Sequence, residues 1–333
     1  MNTLTKTEQA AYSLIKADLQ FLLTVIRNET ISSPSYLVAL LPYIGMIIDG
    51  CESWSQKVKW LPSDVPSFTE EEKQFYTELR HTIKLWETSF SNLVGLLNQK
   101  YNESEIYFSG LCKPIAKRMK WYDVFGVYLI DGIFCDNTVL DTLFVPRYHF
   151  NHIDGAYLRA MTEVGGKIIT RFGITEAHVS PVNCSISFDT KDFGGFTQSP
   201  IGNKFTEKFV LFSMLCAINF ILYGIDKYIA AETTTKLRLA YIQYYYLAQQ
   251  LPALNSELGT SFHIDLHWVN TQFRNCMAHY GLGSVLAQDD IIETDSFGGL
   301  TEKLFYQTWV AVKDSIIDEL HKLSEQFSTY LKL

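Results

Sequence analysis

An arginine and a histidine five positions apart lie in the stretch FRNCMAH, which occupies residues 273–279. The guanidinium of Arg274 can hold a phosphate through two parallel N–H donors and stabilise the charge that develops on it during a reaction. The imidazole of His279 has an ordinary pKa close to neutrality, so it can accept or donate a proton. Together, the two side chains have the chemistry needed to deprotonate a ribose 2′-hydroxyl beside a held phosphate, which cleaves RNA without a metal ion.

The apolar pattern around this stretch predicts a helix over residues 261–280, which ends before Gly281. Five residues correspond to about 500° of helix rotation, so Arg274 and His279 are predicted to point roughly 140° apart. Asn275 is the i, i+4 neighbour of His279 and is expected to orient the imidazole. The spacing therefore predicts that Arg274 and His279 act together between two copies of the chain, or at a distorted helix end.

The same residues also fit a purely structural role. His279 could cap the last carbonyl groups of its helix, where a cation is favoured, and Arg274 could form an ion pair with an acid on a neighbouring helix. Two further residues are candidates for lining a cleft. His267 lies seven residues before Arg274, on nearly the same face of the predicted helix, and Tyr280 directly follows His279.

The stretch resembles the signature of the HEPN superfamily, an arginine followed after four to six residues by a histidine, most often with a polar residue directly after the arginine. An apolar residue precedes Arg274 and a small one precedes His279. The motif also falls late in the third of four predicted helices, as the topology of the family requires. The resemblance covers about residues 204–333. Toxins of the gene pairs that join a HEPN protein to a nucleotidyltransferase carry tyrosine two places after the histidine, where this chain has Gly281.

The resemblance implies an all-α domain that forms a homodimer through the motif helices and commonly acts as a ribonuclease in host defence, toxin systems or RNA processing. It implies that Arg274 and His279 are the catalytic pair and that Asn275 is the polar orienting residue, with no cofactor or metal ion. Some HEPN proteins lack nuclease activity. A non-catalytic module for dimerisation, or for binding a nucleotide or RNA, is therefore the alternative.

The surrounding pattern predicts an all-α protein in two parts. Residues 201–333 are expected to form a four-helix HEPN-like bundle, and residues 1–200 a larger helical region of unknown role. Residues 173–203 are rich in Gly, Pro, Ser and Asn, which predicts a loop or a short hairpin and a boundary between the parts. The four predicted C-terminal helices cover residues 204–231, 233–253, 261–280 and 301–331.

The N-terminal region is also expected to be helical, with residues 103–172 continuing the pattern and breaks at Pro114, at Asp136–Asn137 and at Pro146. Either Ser67 or Thr69 is expected to cap a long amphipathic run that reaches residue 100. Two uncharged segments, 31–48 and 209–225, approach the length of a membrane span. Prolines and serines in the first and Asn219 in the second favour core helices, so no membrane association is expected.

The composition sets the broad class. Hydrophobic residues make up 47% of the chain and charged residues 19%, which is typical of a folded globular protein. The net charge of −8 provides no global attraction for nucleic acid, so an RNA site would have to be local. Six cysteines without a C-x-x-C pair and an N-terminus without signal-peptide features predict a reduced, cytoplasmic protein. The common nucleotide-binding and hydrolase motifs do not occur in the sequence.

The stretch KPIAKRMKWYD, residues 113–123, is the best candidate for a local RNA-binding surface. It places cations beside aromatic residues, a combination that binds phosphates and bases of a single strand. A solvated helix face with buried aromatics explains the pattern equally well. The predicted RNA-binding residues are Lys113, Lys117, Arg118 and Lys120.

Other histidines offer weaker sites. Arg147 and His152 repeat the arginine–histidine spacing, but Pro146 and Tyr148 flank the arginine, so a helix start explains them better than a degenerate second motif. His149, His152 and Asp154 lack a further ligand for a metal site. His263 and His267 form an i, i+4 pair without the glutamate of the zinc protease motif.

Overall fold

The computed structural model describes most of the chain, with short gaps. The described residues are 4–27, 34–60, 67–119, 125–145, 156–177, 186–189 and 207–333. In these residues the protein is mostly helical, which agrees with the all-α prediction in outline. A HEPN-like arrangement of the C-terminal helices stays a prediction.

Up to residue 119, the described residues form helices that are joined by irregular segments. Its helices are α1 (Lys6–Arg27), α2 (Pro34–Lys57), α3 (Glu70–Thr82), α4 (Phe90–Leu111) and α5 (Pro114–Met119). Of the two predicted caps of α3, Thr69 is the one used: its side chain accepts the backbone N–H of Glu72, and the Glu72 carboxylate accepts the backbone N–H of Thr69. The single long run predicted after this cap is wrong, because a 3₁₀ turn at Leu85–Glu87 separates α3 from α4.

A small antiparallel sheet interrupts the helices. Its strands are β1 (Val127–Ile130), β2 (Ile133–Asn137) and β3 (Ile186–Asp189), in the order β2-β1-β3. The helical prediction for residues 103–172 allowed for breaks but not for strands β1 and β2, so it is wrong over residues 127–137. Asp131 and Gly132 have φ of 50° and 81°, which makes the tight turn that joins β1 to β2. Within 173–203 the structure describes one strand, β3, which pairs with β1.

The remaining helices follow the sheet. They are α6 (Thr138–Phe144), α7 (Ala156–Arg171), α8 (Glu207–Asn219), α9 (Thr234–Leu258), α10 (Thr271–His279), α11 (Leu300–Phe305) and α12 (Trp309–Leu331). A π-helical segment, Phe220–Lys227, extends α8. The last predicted helix is divided, because Tyr306 adopts a left-handed conformation between α11 and α12.

The helix predicted over residues 261–280 is half as long as expected. It begins at Thr271, because side chains of other segments hold the backbone before it in a non-helical path. Asn255 bonds the backbone of Phe262, and the hydroxyl of Tyr241 donates to the carbonyl groups of Trp268 and Asn270. His267 therefore lies on an exposed turn before α10 and not on the helical face that carries Arg274.

Two glycines of α2 allow close packing on both sides of the helix. A Cβ at Gly45 would lie 2.5 Å from the backbone nitrogen of Arg80 on α3. A Cβ at Gly50 would lie 2.8 Å from the ring of Tyr280 and 2.9 Å from the carbonyl oxygen of Ala278. Helix α2 therefore lies between α3 and the end of α10, and brings the two helices to one place.

In the part of the chain that the structure describes, two helical segments are long and apolar enough to cross a membrane, Tyr36–Lys57 and Glu207–Lys227. In both, 89% of the most apolar stretch is buried inside the protein, which is also typical of core helices. Length and composition alone are weak evidence for a membrane span.

Helices from both predicted parts pack against one another. Helix α1 lies against α9, and α2 against α10. Asp18 of α1 forms a buried ion pair with Arg238 of α9, and the described buried side chains from both parts belong to one hydrophobic core. A boundary between 1–200 and 201–333 stays a prediction, while the motif itself is in contact with the N-terminal helices.

Candidate active site

The arginine–histidine motif occupies most of α10, which it shares only with Thr271 and Gln272. The side chain of Asn270 caps the helix by accepting the N–H of Phe273, and the buried ring of Phe273 packs edge-on against Tyr241, with centroids 4.5 Å apart. Arg274 lies in the first part of the helix, and His279 is its last residue. Tyr280, with φ of 54°, ends the helix in a left-handed conformation, and its N–H bonds the carbonyl of Cys276 at 2.9 Å.

The residue that holds the His279 ring comes from α3. Nε2 of His279 lies 3.2 Å from Nη2 of Arg80, and Nη1 of the same guanidinium lies 2.6 Å from Oδ2 of Asp49 on α2. Both side chains of the Arg80–Asp49 pair are mostly buried, with 25% and 13% of their areas exposed. Three helices therefore contribute one side chain each to a chain of contacts that ends on the imidazole.

The surroundings keep His279 neutral. Partial burial and the positive charges of Arg80 and Arg274 lower the pKa of His279 to about 4, and Lys84 and Arg238 act in the same direction. Arg274 and His279 therefore influence each other within one copy of the chain. Near neutral pH the ring is uncharged and is an acceptor at one nitrogen and a donor at the other.

Arg274 lies over aromatic rings at the side of α9. Its guanidinium carbon is 5.4 Å from the ring centroid of Tyr245 and 6.0 Å from that of Tyr246. The Nε of Arg274 is buried and has no hydrogen-bond partner within the described parts of the chain. Asn275, which was expected to orient the imidazole, is exposed at the surface of α10, and the side chain in contact with the ring is Arg80.

A buried polar network holds the C-terminal end of α10 in place. The Tyr280 hydroxyl accepts a hydrogen bond from Nη1 of Arg238 at 2.8 Å and donates one to Oδ2 of Asp18 at 2.5 Å. Arg238 also donates through Nε to the carbonyl of Met277 at 2.9 Å. Only 1% of Tyr280 is exposed, so the expectation that it lines an open cleft is wrong: its ring is part of the support for the helix end.

The sequence reasoning missed Arg80, Lys84 and Asp49. Arg80 lies in the last turn of α3, where a cation is common for reasons of helix electrostatics alone. Asp49 directly follows the uncharged, mostly apolar first part of α2, which is the one local signal that a polar partner is required. The sequence does not indicate that this partner also contacts His279, because 199 residues separate the two.

The other predicted sites are dispersed. Lys113, Lys117 and Arg118 are exposed on and beside α5, and Lys120 lies outside the described residues. Arg147 and His152, with the metal ligands considered beside them, also lie outside the described residues. His263 and His267 are exposed, and the described part of the chain contains no group of three or more His, Cys, Asp or Glu residues arranged to hold a metal ion.

Comparison with known proteins gives no indication of function, so the function is inferred from the geometry of the site. No family model matches the chain, and no curated protein or solved structure matches it significantly. The candidate site is therefore defined by its own contacts: a neutral histidine at the end of α10, an arginine on the same helix, and an arginine–aspartate pair supplied by α3 and α2.

Proposed function

We propose that the protein is a metal-independent endoribonuclease of HEPN type. The observation that carries the proposal is that His279 ends a helix with the arginine–histidine spacing and has its Nε2 3.2 Å from Nη2 of Arg80. The charges of Arg80 and Arg274 lower its pKa, which favours the neutral ring. A neutral imidazole can accept the proton of a ribose 2′-hydroxyl, and Arg274 can stabilise the negative charge that develops on the phosphate. The products would be a 2′,3′-cyclic phosphate and a 5′-hydroxyl.

The test is cleavage of mixed single-stranded and structured RNAs by the purified protein in the presence of a chelator. Wild-type protein should cleave, and the variants Arg274→Ala and His279→Ala should lose at least about 100-fold in rate, as expected for a general base and for an electrostatic stabiliser. Arg159→Ala is a matched control, because Arg159 is an exposed arginine on α7. Variants of Arg274 and His279 that are folded and as active as wild type would contradict the proposal.

A second function is favoured by the low pKa of His279. At a pKa of about 4 the ring is a weak base, so the same residues also suit a module that binds the phosphate of RNA or a nucleotide without cleaving it. Such a module would bind RNA with an affinity that falls in Arg274→Ala, and would leave the RNA intact. Homodimerisation through α10 and an RNA-binding role for Lys113, Lys117 and Arg118 remain predictions within both functions.

A further inference from the structure

The guanidinium of Arg80 occupies the lone pair that His279 would need as a base. Nη2 of Arg80 is a donor that cannot accept, so Nε2 of His279 must be the acceptor of their 3.2 Å contact. The neutral ring then carries its proton on Nδ1. While Arg80 stays in place, Nε2 is not available to a substrate hydroxyl.

Positive charge around the ring is greater than the nearby acids can balance. Arg80 contacts the ring from the end of α3, and the charges of Arg274 on α10, Lys84 after α3 and the buried Arg238 on α9 also act on it. Asp49 binds Arg80, Glu87 pairs with Lys84 at 3.6 Å, and Asp18 forms a buried ion pair with Arg238. Arg274 has no carboxylate within ion-pair distance among the described residues, and its Nε lacks a hydrogen-bond partner there. Arg274 therefore has a positive charge and an N–H donor that are left for an anion.

We propose that Arg80, Arg274 and Lys84 form a phosphate-binding site around His279 within a single chain, and that a bound phosphate draws Arg80 away from Nε2 of His279. The binding step stands by itself, while its role in cleavage rests on the proposed function. The ligand class is a phosphate group, either of a polynucleotide or of a free nucleotide. Because α3 supplies a second arginine, the site does not require a second copy of the chain.

Charge explains why the exchange is favourable. A hydrogen bond from a guanidinium to an anionic phosphate oxygen is stronger than one to a neutral imidazole nitrogen. The phosphate also offsets the cations that lower the pKa of His279, so this pKa rises when the site is filled. Asp49 keeps its bond to Nη1 and limits how far Arg80 can move.

Once released, Nε2 can take part in the reaction. It accepts the proton of the 2′-hydroxyl while the 2′-oxygen forms a bond to phosphorus and the bond from phosphorus to the 5′-oxygen breaks. The leaving 5′-oxygen takes a proton from water, and the imidazolium of His279 returns its proton to water. A substrate phosphate thereby activates the base that acts on it.

The experiment is an NMR titration of protein labelled with ¹⁵N in its histidine rings. The ligands are inorganic phosphate, adenosine 5′-monophosphate and a short single-stranded DNA, which lacks the attacking 2′-hydroxyl, each compared with sodium chloride at equal ionic strength. We expect phosphate groups to change the ¹⁵N shift of Nε2 in His279 and to raise the pKa of the ring. A response to the DNA alone assigns the site to polynucleotides, and a response to all three assigns it to phosphate in general. No response to any of them overturns the proposal.

The variant to compare is Asp49→Asn/Arg80→Gln, which removes both charges of the pair and leaves no buried carboxylate without a partner. In this variant the pKa of His279 should already be higher in the free protein, and the affinity for the responding ligand should fall about tenfold. Arg80→Lys, which keeps the charge and loses the fork of two donors, should recover part of the affinity. Arg159→Gln is the control. Unchanged affinity and an unchanged response of His279 in the folded double variant would overturn the role of Arg80.

Cleavage assays separate this inference from the proposed function. If the wild type cleaves RNA and the double variant cleaves and binds equally well, the nuclease stands and the role of Arg80 falls. If the wild type cleaves no RNA but the phosphate response depends on Arg80, the binding site stands and the nuclease falls. Where the wild type cleaves, mixing the variants Arg274→Ala and His279→Ala should restore no activity, because both residues act in one chain. Restored activity would show a site shared between copies and would overturn the single-chain assignment.

Discussion

Gly50 of α2 lies directly against the aromatic ring of Tyr280, the residue that follows the histidine of the motif. A methyl group at Gly50 would come within 2.8 Å of the ring and within 2.9 Å of the carbonyl oxygen of Ala278. This contact sets how closely α2 approaches the end of α10. The same helix positions Arg80 through Asp49. A change at Gly50 therefore tests whether the site depends on the spacing of these helices.

The variant Gly50→Ala should destabilise the protein by about 1 to 3 kcal/mol, the usual effect of overpacking in a close-packed interior. The matched control is Gly95→Ala on α4, where a Cβ would meet nothing within 4 Å. That change should be neutral or stabilise the helix by up to about 1 kcal/mol. Chemical denaturation of both variants measures the difference. A Gly50→Ala variant as stable as Gly95→Ala would contradict the close packing of α2 on α10.

Loss of the Tyr280 hydroxyl should weaken the network beneath the site. Tyr280→Phe removes the acceptor of Arg238 and a donor to Asp18 in a fully buried place, which should lower the free energy of unfolding by about 1 to 3 kcal/mol. Tyr306→Phe is the control, because Tyr306 is 90% exposed, and it should change stability little. Thermal and urea unfolding measure both variants. Equal effects of the two substitutions would count against the network.

Protonation of His279 should make the protein less stable in mild acid. Its pKa in the folded protein, about 4, is below the ordinary value of about 6.5, so the stability it contributes is complete above about pH 6.5 and is lost as the pH falls toward 4. The partly exposed ring is screened by solvent, so we expect a loss of about 1 to 2 kcal/mol. Between pH 7 and pH 4.5, the free energy of unfolding of His279→Gln should fall less than that of the wild type. His267→Gln, at an exposed histidine, is the control and should keep the wild-type slope.

Asp136 and Asp141 should give the stability of the protein the opposite dependence on pH. Burial raises the pKa of Asp136 to about 7, and burial with the neighbouring Asp136 charge raises that of Asp141. Oδ2 of Asp136 and Oδ1 of Asp141 have no other partner among the described residues, and a shared proton would join them. Stability from the protonated pair is complete below about pH 4 and is lost as the pH rises through 7.

The variant Asp136→Asn should therefore lose less stability than the wild type between pH 5 and pH 8, by roughly 1 to 3 kcal/mol. Asp289→Asn, at an exposed carboxyl group, is the control. Unfolding curves at several pH values compare the three proteins. Parallel pH profiles of Asp136→Asn and the wild type would show that the pair is ionised in the folded state.

Local sequence patterns predicted most of the helices and the N-cap of α3. The remaining features of the fold depend on contacts between residues that are distant in sequence. Apolar periodicity identified α1 and α9, and the Thr69 capping box is a local signal that the structure contains. The Asp131–Gly132 pair between two apolar runs is an equally local hairpin signal, and it was overlooked in favour of the surrounding helical pattern.

The candidate site was predictable in part only. Arg274 and His279 were identified from spacing, but the start of their helix depends on bonds from Asn255 and Tyr241, which no local pattern indicates. Arg80 could not have been assigned to His279, because their contact depends on how α2 packs between α3 and α10. The expectation of a second copy, which stays a prediction, was based on the geometry of the motif helix alone, without the N-terminal helices.

The Asp18–Arg238–Tyr280 network has a consequence for how such a protein can evolve. A gene fusion that transferred residues 201–333 to another protein would carry the motif but would leave behind Asp18, Asp49 and Arg80. The transplanted helix would then have a histidine with a different proton affinity and a tyrosine without its buried acid. Selection on the motif therefore extends to residues that precede their partners by 199 to 262 positions, and recombination within this gene is constrained accordingly.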